Sequence, residues 1–211
     1  MLDRPLRQII DPWLELPAGA LAARGVSANA ITVGGFALGM AGCVAIALGQ
    51  YSLGLGLILL NRLADGVDGC VARKRGATEL GGFLDIVLDM IFYSGVPLAF
   101  AIADPARLAS AAALVYSFTG TGGSFLAFAV ISAKRGVQTD IDGKKSFFYS
   151  MGLMEGSETI LFFVLFCLLP GKFATLAWVF CGLCWLTTLL RIAMAVRVFR
   201  SVPKSQEAGT P

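Results

Sequence analysis

Asp65 and Asp68 stand three residues apart, and Asp85 and Asp89 four apart, in a chain that is otherwise strongly apolar. Both spacings put the paired carboxylates on one face of a helix. The turn from Lys74 to Leu80 is expected to make the two helices antiparallel neighbours, so that all four carboxylates converge at one depth on the cytosolic side. A carboxylate deep in a membrane-spanning helix costs about 2.5–3.5 kcal/mol on insertion scales, so four together cost on the order of 5–10 kcal/mol before mutual repulsion. Something must offset that cost. Arg62, Arg73, Lys74 and Arg75 offer one route, a charge cluster at a helix end. Pairing explains two carboxylates per face poorly, however, and the small residues beside them not at all. Mg²⁺ or Mn²⁺ explains both, because these ions prefer hard carboxylate oxygens and two of them sharing ligands need this many acids. Gly66, Gly69, Ala72 and Gly81 remove side chains where a bulky polyanion has to approach. Arg73, one turn after Gly69, is placed to meet a phosphate or a base with its planar fork. The implied ligand is a diphosphate held on divalent cations.

The elements that carry these residues follow from composition. The 211 residues are 56% hydrophobic and 15% charged, with a mean hydropathy of +0.75; a soluble domain is roughly a quarter charged. The apolar residues gather in runs of about 17–25, enough to cross a ~30 Å hydrocarbon core as helices. The alternation a barrel needs is missing, which leaves an all-α integral membrane protein. Six spans are expected, at 32–49, 53–71, 81–103, 108–133, 151–169 and 173–196, the second and sixth reaching past the lipid with charged ends. Residues 1–25 mix Asp3, Arg4, Arg7, Asp11 and Glu15 with Leu, Ile and Trp13, which suits an amphipathic helix on the membrane surface better than a signal peptide or a polar tail. Residues 26–200 then form one catalytic membrane domain, and 201–211 a loose tail.

Placing both termini in the cytosol puts fifteen Lys and Arg on that side and only Arg107 and Lys172 on the other. This is a strong positive-inside bias. The net charge of +3 suits an anionic inner leaflet and needs no nucleic-acid partner. With no histidine in the chain, imidazole catalysis and His ligation are excluded. Cys43, Cys70, Cys167, Cys181 and Cys184 fall within or beside the apolar runs and read as packing residues, the Cys181/Cys184 spacing included. Gly120-Thr121-Gly122-Gly123-Ser124 reads as a close helix-packing surface.

The run Asp65-x2-Asp68-Gly69-x2-Ala72-Arg73-x7-Gly81-x3-Asp85-x3-Asp89 resembles the full signature of the CDP-alcohol phosphotransferases. The six spans, the preceding surface helix and the cytosolic termini are similar to that family as well. The resemblance implies that Asp65 and Asp85 bridge two metals, that Asp68 completes the first site, and that Asp89 ligates the second and acts as general base. It implies that Gly69, Ala72 and Arg73, with Gly81 and Thr78, surround the CDP moiety. Asn29 and Thr32 resemble the family's Asn-x-x-Thr element near the nucleotide, although Ala28 stands where that element usually has Pro; alternatively Ser27 or Asn29 simply caps the helix. Transfer of a substituted phosphate from a CDP-alcohol to an acceptor hydroxyl, with release of CMP, is the implied reaction. A homodimer in a bacterial inner membrane, with its active site facing the cytoplasm, is implied too. CDP-diacylglycerol with a small polar acceptor suits a short chain better than CDP-choline or CDP-ethanolamine with diacylglycerol.

Acceptor binding is less sharply written. Glu155 and Glu158 share a helix face and could grip hydroxyls or an ammonium group, or pair with Arg191 or Lys145. Lys134, Arg135, Lys145 and Arg191 would instead suit an acceptor that already carries phosphate. Two other functions use acidic clusters in membranes. Prenyltransferases carry two clusters far apart in sequence, and cation transporters place carboxylates at the midplane between broken helices; this chain has one cluster at one membrane end.

Overall fold

The computed structural model describes residues 3–134, 154 and 156–201. They form seven α-helices: α1 (Asp3–Ala23), α2 (Ala28–Ala47), α3 (Tyr51–Arg75), α4 (Glu79–Ala103), α5 (Leu108–Lys134), α6 (Gly156–Leu168) and α7 (Phe173–Ser201). α2, α4, α5 and α7 are long and apolar enough to cross a membrane. α6 is a shorter apolar helix of 13 residues. The charges of α3 keep it out of the apolar group, although its 25 residues rise about 38 Å at 1.5 Å each. α7, with 29 residues, reaches about 43 Å and so exceeds a ~30 Å core. The expected fifth span starts before Gly156 in residues that lie outside the described set, as does the tail from residue 202.

Local chemistry sets the helix starts. Ser27 caps α2, its hydroxyl accepting from the Ala30 amide at 3.2 Å, and Thr78 caps α4 by accepting from Gly81 at 3.0 Å. Such caps satisfy amides that the first turn leaves without partners. At the opposite end of the bundle, Asp104 accepts from the Ala106 amide and pairs with Arg107 at 3.2 Å. Arg107 also lies over Tyr51, Phe100 and Phe173, and those rings stack on one another, with 4.6 Å between the Phe100 and Phe173 centroids. One of the two cations expected on the far side is thus anchored there.

The helices pack in an order the sequence did not suggest. The turn from Lys74 to Leu80 predicted that the second and third spans are direct neighbours. Instead α2 packs along both α3 and α4, while the backbones of α3 and α4 scarcely approach each other and meet through side chains. α3 also runs on to Arg75, so the turn shrinks to residues 76–78. α2 can serve as the wedge because its contact face is small. A Cβ on Gly35 would lie 2.8 Å from the Cβ of Ala64 on α3, and neither atom can rotate away. Gly35→Ala is expected to force α2 off α3 at a cost of about 1–3 kcal/mol, seen as a lower melting temperature in detergent; unchanged melting would contradict this packing.

The rest of the core is aromatic. Phe92, Phe100, Phe163, Phe166, Phe173 and Phe180 are fully buried among α4, α6 and α7. In lipid the gain comes from close contact rather than water release, which is consistent with the many large apolar side chains on the outer faces. All five cysteines are free and buried, as packing residues should be. Gly120 lies against Trp185 and Thr188 of α7, so the glycine-rich stretch does form a helix-packing face there. α1 docks on α3 through Leu14 and Ala18 against Cys70 and Val71.

Candidate active site

The wedge position of α2 leaves a gap between α3 and α4 at the end where Thr32, Asp68 and Asp85 lie. Asp65, Asp68 and Asp85 each turn a carboxylate oxygen into it, and the three oxygens lie within 4.8 Å of one another. Asp68 is buried, Asp65 half-buried and Asp85 exposed. At an effective dielectric of 20, each pair of charges at this distance repels by about 3 kcal/mol. The arrangement fits a small divalent ion: ligands across Mg²⁺ at 2.0–2.1 Å stand about 4.2 Å apart, a small adjustment from what is present. Thr32, on α2, donates its hydroxyl proton to Asp68 Oδ2 at 2.6 Å, with the Ala28 carbonyl also within 3.0 Å of the hydroxyl.

All four acids line one small cavity with Thr32, Asn61 and Arg62, but Asp89 is placed differently from the other three. It stands outside the three-oxygen group and is held by Arg62, whose Nη2 donates to Oδ1 at 2.7 Å and Nη1 to Oδ2 at 3.4 Å. Arg62 also reaches Asp65 at 3.7 Å. The helix-end charge cluster therefore exists in part, built by Arg62. Lys74 and Arg75 are turned elsewhere, donating to the Glu15 and Val26 carbonyls and tying down the interior of α1 and the turn after it.

Three larger cavities open from the acids, and Asp85 lines all three. The first, about 380 Å³, gathers Asn29, Thr32, Gly69, Ala72, Thr78 and Gly81 beside Asp68. Every residue expected around the nucleotide is there except Arg73. Arg73 lines a second cavity of about 650 Å³ with Asp65, Asp89, Leu14, Leu63 and Ile160, and donates to Cys70 Sγ at 3.0 Å. Helix periodicity explains the split. Asp65, Gly69 and Arg73 follow one i+4 row of α3, and Asp68 and Ala72 the adjacent row. Ser27 takes the cap of α2, so Asn29 is not needed for that role, whereas Thr78 does cap α4.

Two glycines read as room for a polyanion line cavities and also let a neighbouring helix come close. A Cβ on Gly66 would lie 2.5 Å from Leu14 of α1, and one on Gly81 would lie 2.8 Å from Asn29 Oδ1. Gly66 thus admits α1, and Gly81 admits the start of α2.

The third cavity, about 540 Å³, lies among α4, α5 and α7 and joins Asp85 and Asp89 to Tyr93, Thr119, Thr159 and Arg191. Arg191 is buried, donates to the Thr121 carbonyl at 2.7 Å and to Ser124 Oγ at 3.1 Å, and lies over Phe125. Of the other expected acceptor residues, Lys134 closes α5 as an exposed side chain and Glu158 is half-buried in the first turn of α6. Arg135, Lys145 and Glu155 lie outside the described residues. Sequence reasoning missed Tyr93 and Asn61. Tyr93 follows Asp89 by four residues, a spacing that signals a shared face; the Asn61 bond to the Gly35 carbonyl on α2, 2.8 Å, has no local signal.

Similar proteins give this geometry its context. The chain is 46% identical over 205 residues to the inner membrane protein YnjF of Escherichia coli, covering 97% of this chain and all of that one. Over 74 residues it is 36% identical to the phosphatidylcholine synthase of Borreliella burgdorferi, about a third of each chain (33% and 32%). Its fold matches the crystal structure of phosphatidylinositol phosphate synthase (PgsA1) of Mycobacterium tuberculosis with CDP-DAG bound, at a TM-score of 0.65 and 19% identity, covering 93% of this chain and 98% of that one. The transporter alternative finds no support. With the CDP-alcohol phosphatidyltransferase profile matching residues 25–198, the chain belongs to that family of membrane-bound transferases of phospholipid biosynthesis.

Proposed function

We propose that this protein transfers the phosphatidyl group of CDP-diacylglycerol to the hydroxyl of a small polar acceptor and releases CMP. One observation carries the reading: three cavities of different chemistry open onto a single acidic cluster. The cytidine diphosphate occupies the cavity beside Asn29, Thr32, Gly69, Ala72, Thr78 and Gly81. The acyl chains leave through the second cavity, whose apolar side chains (Ile10, Leu14, Leu59, Leu63 and Ile160) suit lipid. The acceptor enters the third, against Arg191.

Asp65, Asp68 and Asp85 would hold Mg²⁺ or Mn²⁺, with Asp89 completing a second site, and the ions would supply Lewis-acid neutralisation of the diphosphate. Asp89 takes the proton of the acceptor hydroxyl, and its place on the walls of both the acceptor and lipid cavities supports that role. The acceptor oxygen forms a bond to the phosphorus bearing the diacylglycerol, the bond from that phosphorus to CMP breaks, and Arg73 faces the charge that develops. The chain crosses a bacterial inner membrane six times, with α1 on the surface and both termini and the site in the cytoplasm. It works as a homodimer.

Purified protein given CDP-diacylglycerol with Mg²⁺ or Mn²⁺ is expected to release CMP in the presence of one among glycerol 3-phosphate, inositol phosphate, serine and simple polyols. CMP release only from CDP-choline or CDP-ethanolamine with diacylglycerol would overturn the donor assignment.

A further inference from the structure

Arg62 is held on every side. Its Nε donates to Asn61 Oδ1 at 2.7 Å, and buried Asn61 is itself bonded to the Gly35 carbonyl. Its plane lies over Phe92 and Tyr93, 5.0 and 5.4 Å from the ring centroids. Nη1 donates to the Tyr93 hydroxyl at 3.2 Å, and the guanidinium grips Asp89 while standing 3.7 Å from Asp65. A surface arginine swings freely. This one has its cationic end fixed between two members of an acidic cluster by groups from α2, α3 and α4.

We propose that Arg62 is a positioning residue, a resident counter-charge that holds Asp89 and keeps the acids together before divalent ions arrive, and that thereby sets how tightly the cluster takes them. The inference rests on the proposed metal role of the aspartates. Without Arg62, the acids repel one another more strongly in the metal-free protein. The incoming ion then also meets no fixed cation, and both effects tighten its binding.

The full chain in lipid nanodiscs, prepared in Mn²⁺ and then stripped, tests this by titration with Mn²⁺ followed by its EPR signal. Arg62→Gln is expected to bind Mn²⁺ about tenfold more tightly than wild type, and to melt lower in EDTA yet recover when Mn²⁺ is restored. Arg62→Lys, which keeps the charge, should return the affinity to within about twofold of wild type. In an Asp89→Asn background, the gain from Arg62→Gln should shrink to about threefold or less, since the effect runs through Asp89. A merely structural Arg62 would destabilise the protein to the same degree with or without Asp89, and would leave Mn²⁺ affinity alone. Unchanged or weaker Mn²⁺ binding by Arg62→Gln, beside a wild type that binds well, overturns this inference and leaves the metal cluster standing. A wild type that takes up no Mn²⁺ overturns both. An Arg62→Gln protein that stays unfolded even in Mn²⁺ also overturns it, because the ion should replace the missing charge.

Discussion

Asp89→Asn is expected to lower CMP release by about 10²–10⁴-fold, the range that a well-placed general base contributes. The substitution keeps the shape of the side chain, and its carbonyl oxygen can still accept from Arg62, which now donates to Asp89 at 2.7 Å. The fold should therefore survive, with a melting temperature close to that of wild type. The loss should fall on kcat rather than KM, because proton removal matters only as the new bond forms. Geometry sharpens the prediction. Asp89 lines the acceptor and lipid cavities but not the cavity assigned to the nucleotide, so the contacts to the cytidine should be nearly untouched. Steady-state CMP release over a range of CDP-diacylglycerol concentrations checks both statements. Wild-type turnover by the variant would remove Asp89 from the role of base.

Excess EDTA is expected to silence the protein by about 10³-fold or more, since Lewis-acid stabilisation of a transferring phosphoryl group is worth several kcal/mol and each 1.36 kcal/mol is tenfold in rate. Restoring Mg²⁺ or Mn²⁺ should return activity. Asp68→Asn should reproduce most of the loss at ordinary metal concentration and yield partly to raised metal, because two carboxylates of the 4.8 Å cluster remain. Asp68 is the informative choice. It is buried, and its partner Thr32 comes from α2, so its removal leaves the α3–α4 gap otherwise intact. Full activity in excess chelator would contradict the reading of the cluster as a cation site.

Much of this site was legible before any helix was placed in space. Spacings of three and four among Asp65, Asp68, Asp85 and Asp89 define helix faces, and the split of Arg73 from Ala72 follows from the same periodicity once it is applied residue by residue. The residues expected around the CDP moiety were legible because the signature is contiguous, and four of them, with Asn29 and Thr32, do share walls with Asp68. Gly66 has a second use that no local pattern announced. A missing side chain signals that something comes close, and Leu14, more than fifty residues earlier in the chain, is what comes.

Composition alone decided that the chain is helical, because apolar runs in lipid must satisfy every backbone group within themselves, and that is a property of neighbouring residues. It likewise decided that paired acids share faces. Only the tertiary structure decided that α2 stands between α3 and α4, that three of the four acids draw close while Arg62 grips the fourth, and that Arg191 reaches the same cavity as Asp89. These depend on how closely helices approach, which is set by contacts such as Gly35 on Ala64 between residues far apart in the chain. No local pattern encodes such distances.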